Sequence, residues 1–572
     1  MKKKILCLVL AVFMMAFALI GCEEEDRAAI MEKYGIESSD GAVTLNMLLM
    51  SEKEVSKEQE LLIENAVNEI ANVYKVRLDL KYYTPDKYYE ALERDLEKTK
   101  KFYDTGEGSE LGEEIPVYTD ENGLPATYYP PNQPFEVDIF YFSGYDRYQK
   151  YAAANYFADI TESLSGTATS LKGNISSIFY ENVKGDKGVY TIMPTNTLVG
   201  EYTYMLVNKD ILSRSQYKAS DIVSPVSANC QDLLSMVDSY FTDYVPFYSS
   251  VGPLAFDDVK FFGTDANGFA TSAFSLLGGT YNSSWKSGAQ NAYPVFDTIN
   301  NSVDNGAGTI KEQIEILKGY EFEGYYGTEA DAEKPFAVGY IKGGREVLDK
   351  YSEDYVITAI ANPVLTTESV YENVLAVANY SKSQKSAKSQ KSAKIISELY
   401  SNEAFINIIA HGIEGINYVW RDSNVLDEND NPYKVIEKQT KDARYVYEMD
   451  PNKVGNVAKI YPTVNDDPTC AQKLLDQNAD ATIDLLYKFS FHQSAADLSA
   501  VAKIAEYSAQ AEKLILDAKD DEELAAAFEA INLMLESEEV KAAISDAENS
   551  MKTVYNAWLV ANGIIPTETP AA

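Results

Sequence analysis

Hydrophobic and polar positions after residue 42 alternate first with a strand period and then with a helix period. Val43–Met50 is an apolar run of strand length, and apolar residues recur at helical spacing over 57–74. The stretch 76–82 then alternates apolar and polar residues, which is typical of a strand with one buried face. Strand, helix and strand in this order predict a βαβ unit and therefore a parallel sheet.

The alternation continues along the chain, with one interruption and a helical end. The stretch 103–134 is rich in Gly, Pro, Asp and Tyr, which predicts an inserted loop. Residues 495–560 contain neither Pro nor Gly, which predicts a helical C-terminus. Further strands are predicted at 134–142, 189–193 and 202–207, and further helices at 86–101, 145–155, 270–277, 310–318 and 393–410.

A perfect tandem repeat precedes the helix at 393–410. The hexapeptide SQKSAK occupies 383–388 and is copied at 389–394. Its lysines are expected to form a solvated helix start, although an anionic partner is an alternative reading.

The N-terminus indicates export. Three lysines precede an apolar run, Ile5–Ile20, that is too short to span a bilayer comfortably. The run ends in Leu-Ile-Gly-Cys, which resembles the lipobox of bacterial lipoproteins. The resemblance implies a signal peptide at 1–21, a lipid anchor on Cys22 and a spacer over 22–41. We therefore expect a protein on the extracellular face of the cell membrane, with a Gram-positive surface favoured over a periplasm.

Charge and composition exclude several classes of function. Lys and Arg total 50 against 88 Asp and Glu, a net charge of −38 that repels nucleic-acid phosphates. The chain has two histidines and no Cys or His pairs at zinc spacing, which argues against a metal site. It also has no glycine-rich loop of the kind that binds the phosphates of a cofactor, so no cofactor is expected. Cys230 and Cys470 are the cysteines left after the N-terminal segment, and we expect them to be unpaired structural thiols.

Several segments, in this order, resemble an extracellular solute-binding protein of an ABC importer, of the family 1 type. The matching segments are VDIFYFSGYDRYQKYAAANYFADIT (137–161), GVYTIMPTNTLVGEYTYMLVNKDIL (188–212), FAVGYIKGG (336–344), VYENVLAVANYSKS (370–383) and the helix and loop over 391–420. The resemblance implies the α/β type II periplasmic-binding-protein fold, in which two lobes joined by hinge crossings close over one ligand. Lobe 1 is expected at 42–203 plus 370–425, and lobe 2 at 204–369 plus 426–572 with the helical C-terminus.

The expected partners follow from the same resemblance. A monomer of this family captures a small-molecule solute and delivers it to the transmembrane subunits of an ABC permease. Carbohydrate is the favoured solute, because flat aromatic faces stack on sugar rings while neighbouring polar side chains bond the hydroxyls.

Candidate ligand-binding residues lie near the carboxyl ends of the predicted strands, where open parallel sheets bind their ligands. This rule selects the loops after Phe142, Met193 and Tyr340. Ordinary packing is the alternative for each aromatic candidate, and helix capping is the alternative for Glu414. The predicted set is Tyr141, Tyr145, Asp146, Asn196, Glu201, Trp285, Tyr340, Tyr371, Asn373, Glu414 and Tyr418.

Two other functions stay open at this stage. Parts of the same segments look similar to the thiaminase I branch of this fold, whose enzymes need a cysteine nucleophile and a glutamate base. The crossing 194–209 has no cysteine, and Lys342 stands where the base would fall, so no enzyme activity is predicted. A protein of this branch that binds thiamine or a related heterocycle without catalysis is one alternative. A surface sensor or adhesin is the other.

Overall fold

The computed structural model describes two compact α/β units. It covers residues 43–105, 137–185, 188–251, 280–281, 294–295, 310–327, 334–379, 385–439, 442–483, 487–488, 495–543, 545–546, 557 and 560–561. Unit 1 contains the described residues up to Leu198 and those from Val370 to Ala479, and unit 2 contains the rest. The two-lobed α/β fold expected from the sequence is confirmed.

The elements are numbered in chain order. The strands are β1 (Val43–Met50), β2 (Val76–Tyr83), β3 (Ile139–Phe142), β4 (Ile192–Pro194), β5 (Tyr202–Asn208), β6 (Val245–Ser249), β7 (Thr280–Tyr281), β8 (Pro294–Val295), β9 (Phe336–Gly343), β10 (Tyr355–Ala361), β11 (Val364–Leu365), β12 (Val374–Val377), β13 (Tyr418–Leu426), β14 (Pro432–Lys438) and β15 (Thr482–Ile483).

The helices alternate with these strands, and short 3-10 turns lie at 72–74, 219–221, 443–445, 451–453 and 457–459. The helices are α1 (Lys57–Ala71), α2 (Pro85–Thr105), α3 (Tyr145–Ala153), α4 (Thr161–Ser165), α5 (Leu171–Asn174), α6 (Ser177–Asn182), α7 (Lys209–Arg214), α8 (Ala228–Tyr240), α9 (Ile310–Phe322), α10 (Glu346–Tyr351), α11 (Thr367–Tyr371), α12 (Lys385–Ser401), α13 (Glu403–His411), α14 (Cys470–Asp480), α15 (Ala495–Asp517) and α16 (Asp521–Glu536).

Unit 1 is built on a five-stranded sheet in the order β2-β1-β3-β12-β4. β1 pairs in parallel with β2 and with β3, which confirms the predicted βαβ unit. β12 runs antiparallel to both β3 and β4. Most of β1, and all of β3 and β12, are buried, because helices cover both faces of a sheet of this kind.

Unit 2 is built on a four-stranded mixed sheet in the order β10-β5-β9-β6. One face of this sheet packs on α8 and α9 through a large apolar cluster. Ile515 of α15 and Phe528 of α16 are buried in the same cluster, so the C-terminal helices belong to the core of unit 2.

Two of the long predicted helices are interrupted. The predicted helix at 393–410 is two helices, because Asn402 caps α13 by accepting a hydrogen bond from the Phe405 N–H. The predicted helical C-terminus is interrupted after α15, where Asp520 caps α16 through the Glu523 N–H. A side-chain cap begins the second helix of each pair, without Gly or Pro.

The two units divide the chain at other positions than the boundary expected after residue 425. The described residues of 426–479 lie in unit 1, because their backbone and side chains bond to elements there. β14 pairs with β13, the Glu52 N–H donates to the Glu448 carbonyl at 2.8 Å, and the Tyr447 hydroxyl donates to the Ile409 carbonyl at 2.6 Å. The earlier boundary also moves, from 203/204 to 198/199, because Tyr202 already belongs to the sheet of unit 2.

Two lysines of the tandem repeat, Lys388 and Lys391, do not extend freely into solvent. The Lys388 ammonium lies 3.6 Å from the fully buried Asp138 carboxylate, and burial lowers the pKa of Lys388 to about 8. The Lys391 ammonium donates to the Tyr74 carbonyl at 3.0 Å and to the Lys75 carbonyl at 2.8 Å. The repeat therefore anchors α12 to unit 1.

Within the ranges given above, no helix has a stretch long and apolar enough to cross a bilayer. The signal peptide, Cys22, the spacer, the helix at 270–277, Trp285 and residues 106–134 of the insertion lie outside the described residues. The first residues of that predicted loop, 103–105, are the end of α2.

Candidate functional site

The carboxyl edge of the unit 1 sheet brings distant parts of the chain together. β3 ends at Phe142, β4 ends at Pro194, and the antiparallel β12 begins at Val374. Two backbone hydrogen bonds connect the loops here, from the Gly144 N–H to the Tyr371 carbonyl at 2.7 Å and from the Thr195 N–H to the Asn373 carbonyl at 2.9 Å. This is the edge at which open sheets bind ligands.

An aromatic cluster lies at this edge. Gly144, with a φ of 96°, turns the chain so that α3 begins at Tyr145. The Tyr371 ring centroid is 4.9 Å from that of Tyr145 and 4.5 Å from that of Tyr148. Tyr371 is buried and Tyr145 is half-buried, so Tyr371 supports the ring of Tyr145 from within the unit. The arrangement suits the stacking of a flat apolar ligand face on Tyr145.

A polar pair lies beside the aromatic cluster. The Tyr141 hydroxyl donates a hydrogen bond to Oδ1 of Asn373 at 2.8 Å. Burial raises the pKa of Tyr141 far above its usual value, so this hydroxyl remains protonated. Asn373 is only partly buried, so part of it stays accessible to solvent.

A cation, Arg147, contacts a neighbouring tyrosine of unit 1. The Arg147 guanidinium lies 3.6 Å from the centroid of the Tyr89 ring and donates from Nη1 to the Ser143 carbonyl at 2.5 Å. Burial raises the pKa of Tyr89, whereas the charges of Arg147 and Lys453 oppose the rise. The edge therefore combines an aromatic face, an amide and a fixed cation.

The segment around residue 450 contributes two more charged side chains, Asp450 and Lys453. The Lys453 ammonium lies 3.0 Å from a carboxylate oxygen of Glu52 and 3.1 Å from one of Asp450. Asp450 also contributes negative charge at the Tyr141 hydroxyl. The segment is held at the end of β1 by a bridge between Ser51 and Met449.

Other predicted residues of unit 1 lie elsewhere or are used internally. Asn196 is fully buried, its Oδ1 accepts from the Ser176 N–H, and its Nδ2 donates to Oδ1 of Asn456, both at 2.9 Å. Asp146 is exposed in the first turn of α3. Glu414 is exposed and forms a bridge with the buried Tyr418, so both lie at the start of β13 and not at the end of β3.

The predicted residues of unit 2 lie in or next to a different sheet, that of β5 and β9. Tyr340 is 4% exposed within the apolar core, and its carbonyl accepts from the Ser250 N–H at 3.0 Å. Glu201 is exposed just before β5. The ligand role of all these residues stays a prediction.

Cys230 lacks the setting of a nucleophile. The residue is fully buried in α8, and burial raises the pKa of its thiol to about 12. A neutral, enclosed thiol is a poor nucleophile. Among the residues that the structure describes, no cluster of three or more His, Cys, Asp or Glu side chains could hold a metal ion.

Sequence reasoning missed four residues of the unit 1 edge: Tyr89, Arg147, Asp450 and Lys453. Arg147 had a usable signal, because it lies two residues after Tyr145 in a loop that was already selected. No sequence signal pointed to Asp450 and Lys453, because only the fold brings this segment to Glu52, some four hundred positions earlier in the chain.

Comparisons with known proteins give structural neighbours. No family model and no curated protein sequence matches the chain. It is similar to an N-glycan transport solute binding protein (NgtS) of Streptococcus pneumoniae, with 14% identity over 89% of this chain and 98% of that chain and a TM-score of 0.47. It is also similar to an HMO-binding, ABC-transporter-associated solute binding protein of Bifidobacterium longum infantis, with 11% identity over 90% and 100% and a TM-score of 0.41. A third is the S. pneumoniae ABC-transporter substrate binding protein FusA, with 13% identity over 91% and 100% and a TM-score of 0.37.

Proposed function

We propose that the protein is an extracellular solute-binding protein of an ABC importer and that it captures a carbohydrate. The observation that carries the proposal is the carboxyl edge of the unit 1 sheet. There the half-buried Tyr145 ring is backed by Tyr148 and Tyr371, beside the partly exposed amide of Asn373. A stacking face next to hydrogen-bonding groups is the chemistry that a sugar ring requires.

The expected role is binding without catalysis. The neutral, buried Cys230 and the Lys342 at the expected base position both argue against thiaminase chemistry. A bound sugar would favour one of two conformations of the protein, and that conformation would dock on the permease. The lipobox-like sequence supports lipid attachment at Cys22 on the extracellular side of the membrane.

The test is a thermal-shift screen of the full chain, purified in detergent. The panel contains kestose, maltotriose, lacto-N-tetraose, a mannose-rich N-glycan, thiamine and free amino acids. A compound at a hundred times its dissociation constant stabilises the native state by about 2.7 kcal/mol. We expect one or more of the oligosaccharides to raise the Tm of the wild type.

The control locates the binding site. Tyr145→Ala should abolish the shift, whereas Tyr240→Ala, at a tyrosine of α8 that is 78% exposed, should leave it unchanged. A shift with thiamine alone would replace carbohydrate by a heterocyclic ligand. No shift with any oligosaccharide would refute the proposal.

A further inference from the structure

The hydrogen bond between Tyr141 and Asn373 determines which atom of the amide faces outward. Tyr141 is 3% exposed, and its own backbone is fixed because the Tyr88 hydroxyl bonds both its N–H and its carbonyl. The raised pKa keeps the Tyr141 hydroxyl protonated at any physiological pH. In the structure it donates to Oδ1 of Asn373 at 2.8 Å, so the amide oxygen faces Tyr141.

The backbone of Asn373 is fixed as well. Its carbonyl accepts from the Thr195 N–H at 2.9 Å and from the Thr195 hydroxyl at 3.3 Å, at the start of β12. With the backbone anchored and Oδ1 bonded to Tyr141, the amide has one orientation. Nδ2, with its two N–H donors, then points away from Tyr141.

We propose that Tyr141 is a positioning residue that orients Asn373 so that Nδ2 donates to an acceptor oxygen of the bound carbohydrate. The inference rests on the proposed function and makes it specific. Tyr141 acts through Asn373 and does not touch the sugar itself. Buried and hydrogen-bonded partners of this kind hold a binding group in its productive geometry before the ligand arrives.

The test is a double-mutant cycle measured by titration calorimetry. The probes are those of kestose, maltotriose and lacto-N-tetraose that stabilise the wild type. Tyr141→Phe should weaken binding about threefold to tenfold, because one oriented hydrogen bond is lost. Asn373→Ala should weaken binding at least as much, and adding Tyr141→Phe to Asn373→Ala should change the affinity by less than about twofold.

A second variant separates orientation from structural support. Asn373→Asp keeps an acceptor for the Tyr141 hydroxyl but replaces the two N–H donors with a carboxylate oxygen. We expect its Tm without ligand to match the wild type and its affinity to fall as far as that of Asn373→Ala. Tyr151→Phe is the matched control, since its hydroxyl bonds Glu93 and not Asn373, and its affinity should equal that of the wild type.

Each outcome decides a different point. Additive losses in the cycle, or full affinity in Asn373→Asp, would overturn the positioning role while leaving carbohydrate binding intact. If Tyr141→Phe does not fold, the Asn373→Asp result decides alone. If no probe binds the wild type, the proposed function and this inference both fail.

Discussion

At the residue scale, His411 shows how burial turns an ordinary side chain into a pH-dependent stability element. The ring is 2% exposed at the end of α13, and its Nε2 lies 3.1 Å from the Tyr461 carbonyl. Burial, with a smaller contribution from Lys438, lowers the pKa of His411 to about 4. The ring is therefore neutral in the folded protein at pH 7.

Acid should destabilise unit 1 through this residue. The pKa of His411 is lower in the folded state than in the unfolded state, so the unfolded chain binds the proton more tightly as the pH falls. The neutral ring therefore gives its full stabilisation of the folded state above the unfolded pKa of about 6.5, and this stabilisation is lost progressively toward pH 4. Between pH 7 and pH 5 we expect a loss of about 2 kcal/mol in the free energy of unfolding from this group.

The measurement compares urea unfolding at pH 7 and pH 5 for the wild type and His411→Gln. Between the two pH values, the free energy of unfolding of the variant should fall by about 2 kcal/mol less than that of the wild type. His492→Gln, at the only other histidine of the chain, is the control. Equal pH dependence in the wild type and His411→Gln would contradict the buried neutral ring.

At the element scale, polar caps set the boundaries of the helices. Asp520 has an extended backbone and accepts from the Glu523 N–H at 2.8 Å, so it begins α16 directly after α15 has ended. Asp521, the next residue, is the first residue of the helix itself. The two aspartates are adjacent in the sequence, but Asp520 caps the helix and Asp521 does not.

Removal of the cap should be costly, and removal of its neighbour should not. Asp520→Ala is expected to lower the stability of unit 2 by about 1 kcal/mol, because the orphan N–H of Glu523 loses its partner. Asp521→Ala should change it by less than about 0.5 kcal/mol. Thermal unfolding of both variants tests this, and equal Tm values would show that the cap contributes nothing.

At the scale of the whole molecule, each unit has its own hydrophobic core. The core of unit 2 is completed by the C-terminal helices, because Phe528 is 2% exposed against the cluster on α8 and α9. Leu533, on the same helix α16, is 63% exposed. Helix α16 is therefore a structural part of unit 2.

A cavity in this core should destabilise one unit. Phe528→Ala is expected to cost about 3–5 kcal/mol, whereas Leu533→Ala should stay within about 0.5 kcal/mol of the wild type. Hydrogen exchange, read peptide by peptide, should show faster exchange in β5 and β9 of unit 2 and unchanged exchange in β1 and β3 of unit 1. Equal acceleration in both units would contradict independent cores.

Prediction from the sequence succeeded where a pattern is local. Val43–Met50 is a strand with the predicted bounds, and the helix predicted over 57–74 is α1 followed by a 3-10 turn. The sequence could not place 426–479 in unit 1, because that segment bonds to residues far away in the chain, such as Glu52 and Ile409. Periodicity carries no information about such distant partners.

The sequence by itself determined the alternation of strands and helices, the strongly acidic charge and the parallel βαβ start, because each depends on neighbouring residues or on simple sums. Only the tertiary structure decided that Asn196 bonds inward while Asn373 faces outward, although both are asparagines at strand ends. It also decided that Lys453 pairs with Glu52 and that Tyr141 is buried. These properties depend on which distant segments share an edge of the sheet, and that is set by packing.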